Sequence, residues 1–133
     1  MGEAAVEAQS QLKVLVIDDS EIASEVAQEF LREGGYDVRA VTSLGEFTVL
    51  LQQWHPHVVL TDVNMPSVSG AELCHWIKSN VQNDDVPVIL FSDLPEDELS
   101  ILAKTSGAEG YLSKTRATEL CEYVGTLCQE IVW

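Results

Sequence analysis

Short apolar runs alternate with longer amphipathic stretches along the chain. "LKVLVI" (12–17) predicts a strand. "SEIASEVAQEFLRE" (20–33) predicts a helix with Ile22, Val26 and Phe30 on one face, Ser20 as its N-cap and Gly34-Gly35 as its stop. "YDVRAV" (36–41) alternates, the mark of a less completely covered edge strand. "LGEFTVLLQQW" (44–54) is helical, opened by Ser43 with Glu46 three residues on, a capping box. "HVVLT" (57–61) reads as a third strand. After the turn "NMPSVS", Ser69 and Glu72 form a second capping box before "AELCHWIKSN". "VPVILF" (86–91) is the fourth strand, and "LPEDELSILAKTSG" (94–107) is a short helix with Asp93 as cap and Pro95 in its first turn. "GYLS" (110–113) is the fifth strand. "RATELCEYVGTLCQEI" (116–131) is the last helix, with Leu120, Val124, Leu127 and Ile131 as its buried stripe.

Five strand-then-helix repeats, with inner strands apolar on both faces, predict an α/β domain. The sheet is parallel and covered by helices on both sides, a doubly wound three-layer αβα sandwich. The chain has 133 residues, which suits one domain with one core, spanning 12–133. Residues 1–11 read as a frayed tail.

Parallel strands joined by right-handed crossovers end at one edge of the sheet, so the residues after each strand become neighbours. Those residues are Asp18 and Asp19, then Asp62, Ser92 and Lys114. In a flavodoxin-like strand order, 2-1-3-4-5, the winding reverses between strands one and three, which is where ligands bind. Asp18, Asp19 and Asp62 flank that point. Three carboxylates about 4 Å apart repel by about 1 kcal/mol per pair in water and about 4 kcal/mol at an effective dielectric of 20. A fold tolerates this with a compensating cation, and carboxylate oxygens suit a small hard divalent ion, Mg²⁺ above all. Lys114 and Ser92 face Asp62 across the site. A carboxylate beside Mg²⁺, a lysine and a hydroxyl is arranged to accept a phosphoryl group.

Charge and cysteine usage narrow the partners. The formal net charge is -15, from 22 acids against 7 bases, which disfavours direct contact with nucleic acid or an anionic membrane and favours cations and basic protein surfaces. No apolar run approaches the roughly 18 residues needed to span a membrane. Cys74, Cys121 and Cys128 show no C-x-x-C spacing and read as reduced, packed thiols of a cytoplasmic protein. His55, His57 and His75 lack metal-site spacing; the first two read as surface residues. Trp54 and Trp76 read as core or half-buried.

"VLVIDDSE", "VVLTDVNMPSVSG", "VPVILFSD" and "GAEGYLSK" together resemble the CheY-like receiver domain of bacterial two-component response regulators, over about residues 12 to 131. The resemblance implies that Asp62 is the phosphoacceptor, loaded by a histidine kinase or a histidine phosphotransfer protein. It implies that Asp18, Asp19 and Asp62 hold Mg²⁺ with the backbone carbonyl of Asn64. Ser92 would be the switch hydroxyl, Lys114 the phosphoryl-binding lysine and Tyr111 the aromatic switch. Met65, Pro66 and Gly70 match the turn after the phosphoacceptor. The signal would leave through helix four, strand five and helix five to a downstream protein target.

Two positions depart from the family pattern. Thr115 stands where a cis proline usually follows the lysine, and Asp93 where a small residue follows the switch hydroxyl. Two other readings compete with a phosphoacceptor that is not a turnover enzyme. One is a phosphorylation-independent pseudo-receiver adaptor. The other is an aspartyl-phosphate phosphatase, which commonly carries Asp-x-Asp where this chain has Asp62-Val63-Asn64.

Overall fold

A computed structural model describes residues 12–65, 69–79 and 86–132. The tail 1–11, Pro66 and the side chain of Ile131 lie outside the described residues. The strands are β1 (Lys13–Ile17), β2 (Asp37–Val41), β3 (Val58–Thr61), β4 (Val88–Ser92) and β5 (Gly110–Ser113). The helices are α1 (Glu21–Glu33), α2 (Leu44–Gln53), α3 (Gly70–Ser79), α4 (Glu96–Ser106) and α5 (Leu120–Val132). All pairings are parallel, and the sheet runs β2-β1-β3-β4-β5, the predicted order.

Side chains alternate across the sheet and build two cores. Leu15, Ile17, Val59 and Leu90 point to one face, where Phe47, Leu51, Leu73, Ile77 and Leu99 from α2, α3 and α4 cover them. Val14, Val16, Leu60 and Ile89 point to the other, under Ala27 and Leu31 of α1 and Leu120, Val124 and Cys128 of α5. Each fully buried Leu, Ile or Phe contributes about 1.5–3 kcal/mol relative to exposure, so these two layers dominate folding.

Helix boundaries show where local chemistry overrode the pattern. Ser20 caps α1 by accepting from the Ala23 N–H at 3.2 Å, as expected. The face carrying Ile22 and Val26, however, is open, with Ile22 79% exposed; the inward residues are Ser24, Ala27 and Leu31. Asp18 Oδ1 accepts the Ser20 N–H at 2.9 Å, which joins the start of α1 to the edge of the sheet. Ser69 and Glu72 form the expected reciprocal box, Ser69 N–H to Glu72 Oε1 at 3.1 Å and Glu72 N–H to Ser69 Oγ at 3.0 Å.

Asp93 is not the cap of α4. The N-cap is Pro95, which has no side-chain acceptor, and the helix starts at Glu96. The last helix begins later than its pattern, because Lys114–Glu119 form a 3-10 segment in which Arg116 leaves helical geometry (φ −109°, ψ 31°). On α5 the buried stripe is Leu120, Val124 and Cys128, with Leu127 only partly covered. Trp54 is buried, with the Arg39 guanidinium 4.8 Å from its ring centroid, while Trp76 is more open than expected at 41% exposure. The three cysteines are unpaired, and burial pushes each thiol above its ordinary pKa, which disfavours the thiolate form.

Two predictions follow from this packing. A Cβ on Gly70 would lie 2.2 Å from the Asp62 carbonyl oxygen, a backbone atom that cannot turn aside. Helix propensity alone favours Ala over Gly by about 1 kcal/mol. The clash wins, so Gly70→Ala is expected to lose about 1–3 kcal/mol in urea unfolding. His57 Nδ1 accepts the Lys13 N–H at 2.9 Å, which requires an unprotonated nitrogen. Burial and the Lys13 charge hold this imidazole below its ordinary pKa. The unfolded chain therefore takes up the proton first as pH falls. Stability is full above about pH 6.5 and declines below it, through the lowered folded value. Thermal midpoints measured from about pH 7.5 to about pH 5 should fall further for the wild type than for His57→Asn, which keeps an acceptor without titrating.

Candidate functional site

Strand register brings the acids together. Ile17 pairs with Thr61, so Asp18 and Asp62 emerge side by side, and the Asp62 N–H continues the ladder to the Ile17 carbonyl at 3.1 Å. On the far side, Ser92 pairs with Ser113, so Lys114 leaves β5 just beyond Ser92. Asp18 is 2% exposed and Asp62 9%, whereas Asp19 faces solvent. One carboxylate oxygen from each of Asp18, Asp19 and Asp62 lies within 4.8 Å of the others.

Lys114 reaches over this group from two strand spacings away from β3, about 10 Å. Its Nζ lies 2.9 Å from Asp18 Oδ2 and 3.5 Å from Asp62 Oδ1. Burial alone would lower the Lys114 pKa, but the hydrogen bond to Asp18 and the charges of Asp18, Asp62 and Asp93 hold it above its ordinary value. The ammonium is therefore a fixed positive charge. Asp62 is shifted upward: burial raises it and the Asp18 charge adds to this, against the Lys114 charge and the Val63 N–H. Even with Lys114 in place, the site carries more negative charge than it neutralises.

The Asp62 backbone is held from two sides. The Thr61 hydroxyl donates to the Asp62 carbonyl at 2.9 Å, and Gly70 packs against that carbonyl while its N–H donates to the Val63 carbonyl at 2.8 Å. The Val63 N–H donates to Asp62 Oδ1 at 2.8 Å. Asp62 Oδ1 thus takes both a backbone N–H and the lysine contact. Ser92 is buried, and its Oγ accepts the Leu94 N–H at 3.3 Å, leaving the hydroxyl hydrogen free to turn. Tyr111 is half-buried against the core under α4, and its backbone N–H donates to the Tyr123 hydroxyl at 2.9 Å. Asn64 is exposed two residues past Asp62.

Hard carboxylate oxygens gathered this closely fit a small divalent cation. The acids lie at the edge of the sheet, Asp18 and Asp62 buried and Asp19 toward solvent. A cleft of about 500 Å³ does lie between α3 and α4, beside Trp76 and Thr105, but it shares no residue with the acids. Among the described residues every peptide bond is trans, including that between Lys114 and Thr115, and Lys114 still meets Asp18 and Asp62. Sequence reading passed over Thr61, Tyr123 and the Arg116 contacts with Glu96 and Glu119. A turn arginine and a helix tyrosine carry no local signal of what they touch.

Comparison with known proteins agrees with this geometry. A family model, the response regulator receiver domain, matches residues 14–124. The chain is 35% identical over 112 residues to protein PilG of Pseudomonas aeruginosa, covering 81% of this chain and 80% of that protein. It is 29% identical over 103 residues to the polar-differentiation response regulator DivK of Brucella ovis, covering 76% and 82%. The solved chemotaxis response regulator CheY4 of Vibrio cholerae superposes with a TM-score of 0.79 at 25% identity, over 88% of this chain and 98% of that one. With its acids and lysine gathered at the reversal point of a 2-1-3-4-5 sheet, this chain belongs to the response regulator receiver domain family.

Proposed function

We propose that Asp62 accepts a phosphoryl group from a phosphohistidine, carried by a histidine kinase or a histidine phosphotransfer protein. Asp18, Asp19 and Asp62, with the Asn64 carbonyl, would hold Mg²⁺, whose role is to offset charge on the transferring oxygens. An oxygen of the Asp62 carboxylate attacks: it bonds to phosphorus as the P–N bond breaks, and the imidazole leaves with the electron pair. The observation that carries this reading is the Lys114 ammonium standing between Asp18 and Asp62, where it can follow the new phosphate oxygens.

The acyl phosphate carries about two negative charges where the carboxylate carried one, and offers three phosphate oxygens as acceptors. Ser92 gains an acceptor stronger than its present contact and turns toward it, and Tyr111 follows into the space released. This biases an existing equilibrium of the β4–α4 and β5–α5 loops. The surface of α4, β5 and α5 then presents the signal to a protein partner in the cytoplasm. Among the described residues no helix is long and apolar enough to cross a membrane. The acidic chain is matched to protein surfaces rather than to nucleic acid.

Incubation with acetyl phosphate and Mg²⁺ should add the mass of one phosphoryl group to the intact protein and none to Asp62→Asn, and chelating the metal should abolish the gain. Equal labelling of the substituted protein would remove Asp62 as acceptor. Because burial and Asp18 disfavour the Asp62 charge, Asp62→Asn should also melt at a higher temperature than the wild type. A lower midpoint, read by circular dichroism at neutral pH, would contradict the charge imbalance described for the site.

A further inference from the structure

A lysine on a flexible four-carbon stem holds its ammonium in one place only if its backbone is fixed. The turn after β5 fixes it by contacts that do not involve the acids. Ser113 Oγ accepts the Thr115 N–H at 3.2 Å and shares a hydrogen bond with Thr115 Oγ1 at 2.8 Å. Arg116 then lays two nitrogens on Glu119, Nε to Oε2 at 3.0 Å and Nη2 to Oε1 at 2.7 Å. Its third nitrogen, Nη1, reaches Glu96 Oε1 at 2.7 Å, a residue 20 positions away in sequence. Glu96 opens α4, four residues after Ser92. One guanidinium therefore spans from the turn carrying Lys114 to the loop carrying Ser92. The Asp93 charge on that loop already acts on Lys114, so the two segments lie within electrostatic reach.

Isolated ion pairs at a surface contribute little, because solvent screens them and two long side chains must be ordered. A guanidinium held in a fork with a third contact is the geometry in which they contribute most. We propose that Arg116 is a positioning residue for phosphoryl transfer to Asp62, its clasp on Glu96 holding the Lys114 turn against the start of α4 so that the ammonium and the Ser92 hydroxyl stay in register over the acid. This rests on the function proposed above for its chemistry, but not for the clasp. Without the clasp the two loops move independently, and fewer encounters with a phosphodonor find both groups in place.

The test compares the wild type with Glu96→Gln, Arg116→Gln and Glu119→Gln. Loading by acetyl phosphate with Mg²⁺ should slow about three- to fivefold in the first two, the range open to a well-formed exposed pair. Glu119→Gln keeps the contact to Glu96 and an amide oxygen to accept one of the two fork bonds, and should change the rate by less than about twofold. Arg116→Lys, which keeps the charge and loses the fork, should fall between. A second readout needs no phosphorylation. Amide exchange at Leu94 and Thr115, one in each loop, should quicken together in Glu96→Gln while global unfolding is unchanged, and Leu94 should be unaffected in Glu119→Gln. If the wild type loads and Glu96→Gln and Arg116→Gln load at its rate or faster, the positioning role is overturned. Unchanged exchange at Leu94 in Glu96→Gln overturns the clasp itself. If no protein loads, the wild type included, it is the phosphoacceptor reading that fails, and the exchange data still decide whether Arg116 joins the loops.

Discussion

Negative charge gathered at one edge of a parallel sheet has to be balanced, and one ammonium group does the balancing. Asp18 and Asp62 are both buried and adjacent, and Lys114 meets both. At an effective dielectric of 20, two carboxylates at about 4 Å oppose each other by about 4 kcal/mol, comparable to a large part of a small domain's net stability of about 5–15 kcal/mol. A single monovalent cation against the charges of Asp18, Asp19 and Asp62 leaves a deficit, and a divalent ion would offset it. The affinity of such a site for metal is thus the counterpart of its instability without one.

The rest of the domain makes that imbalance tolerable. Two apolar layers hold the sheet, and β1, β3 and β4 are buried along their lengths. The acids sit just past the strand ends, where rigid backbone gives way to turns. Around Asp62 the backbone is fixed by Thr61, Val63 and Gly70, so the carboxylate cannot relax away from Asp18. Groups expected to respond to a change at Asp62 are held less tightly. Among the described residues Ser92 Oγ accepts one long hydrogen bond, and Lys114 is carried by a 3-10 turn rather than by a helix. Rigid acceptor and adjustable surroundings suit a site that reports a change in charge.

Two features set this chain apart from the pattern its family resemblance implied. Thr115 follows Lys114 through a trans bond, and the turn is closed by Ser113, Thr115 and Arg116 instead of by a proline ring. Asp93 stays exposed and caps nothing, which leaves its charge to act on Lys114. Both lie in the loops next to the acids and neither touches the apolar layers, so they bear on the behaviour of the site and not on the fold.

Periodicity along the chain was enough to place all five strands and the helices between them, because an inner parallel strand must be apolar on both faces and a covering helix on one. That alternation also implied which residues share the sheet edge, so Asp18, Asp19, Asp62, Ser92 and Lys114 were legible together before any coordinates. Helix rotation was not legible. On α1 the bulkier stripe of Ile22 and Val26 faces outward, and the smaller Ser24 and Ala27 face the sheet with Leu31. The start of α4 was missed because Pro95 delays it, and the start of α5 because Arg116 interrupts helical geometry. The bridge from Arg116 to Glu96 and the contact of Tyr123 with β5 were invisible as well. Patterns of apolar spacing record which elements must be buried, a local and repeated demand. Contacts between residues far apart in sequence depend on the angle at which each element leaves the last, and only the folded chain decides that.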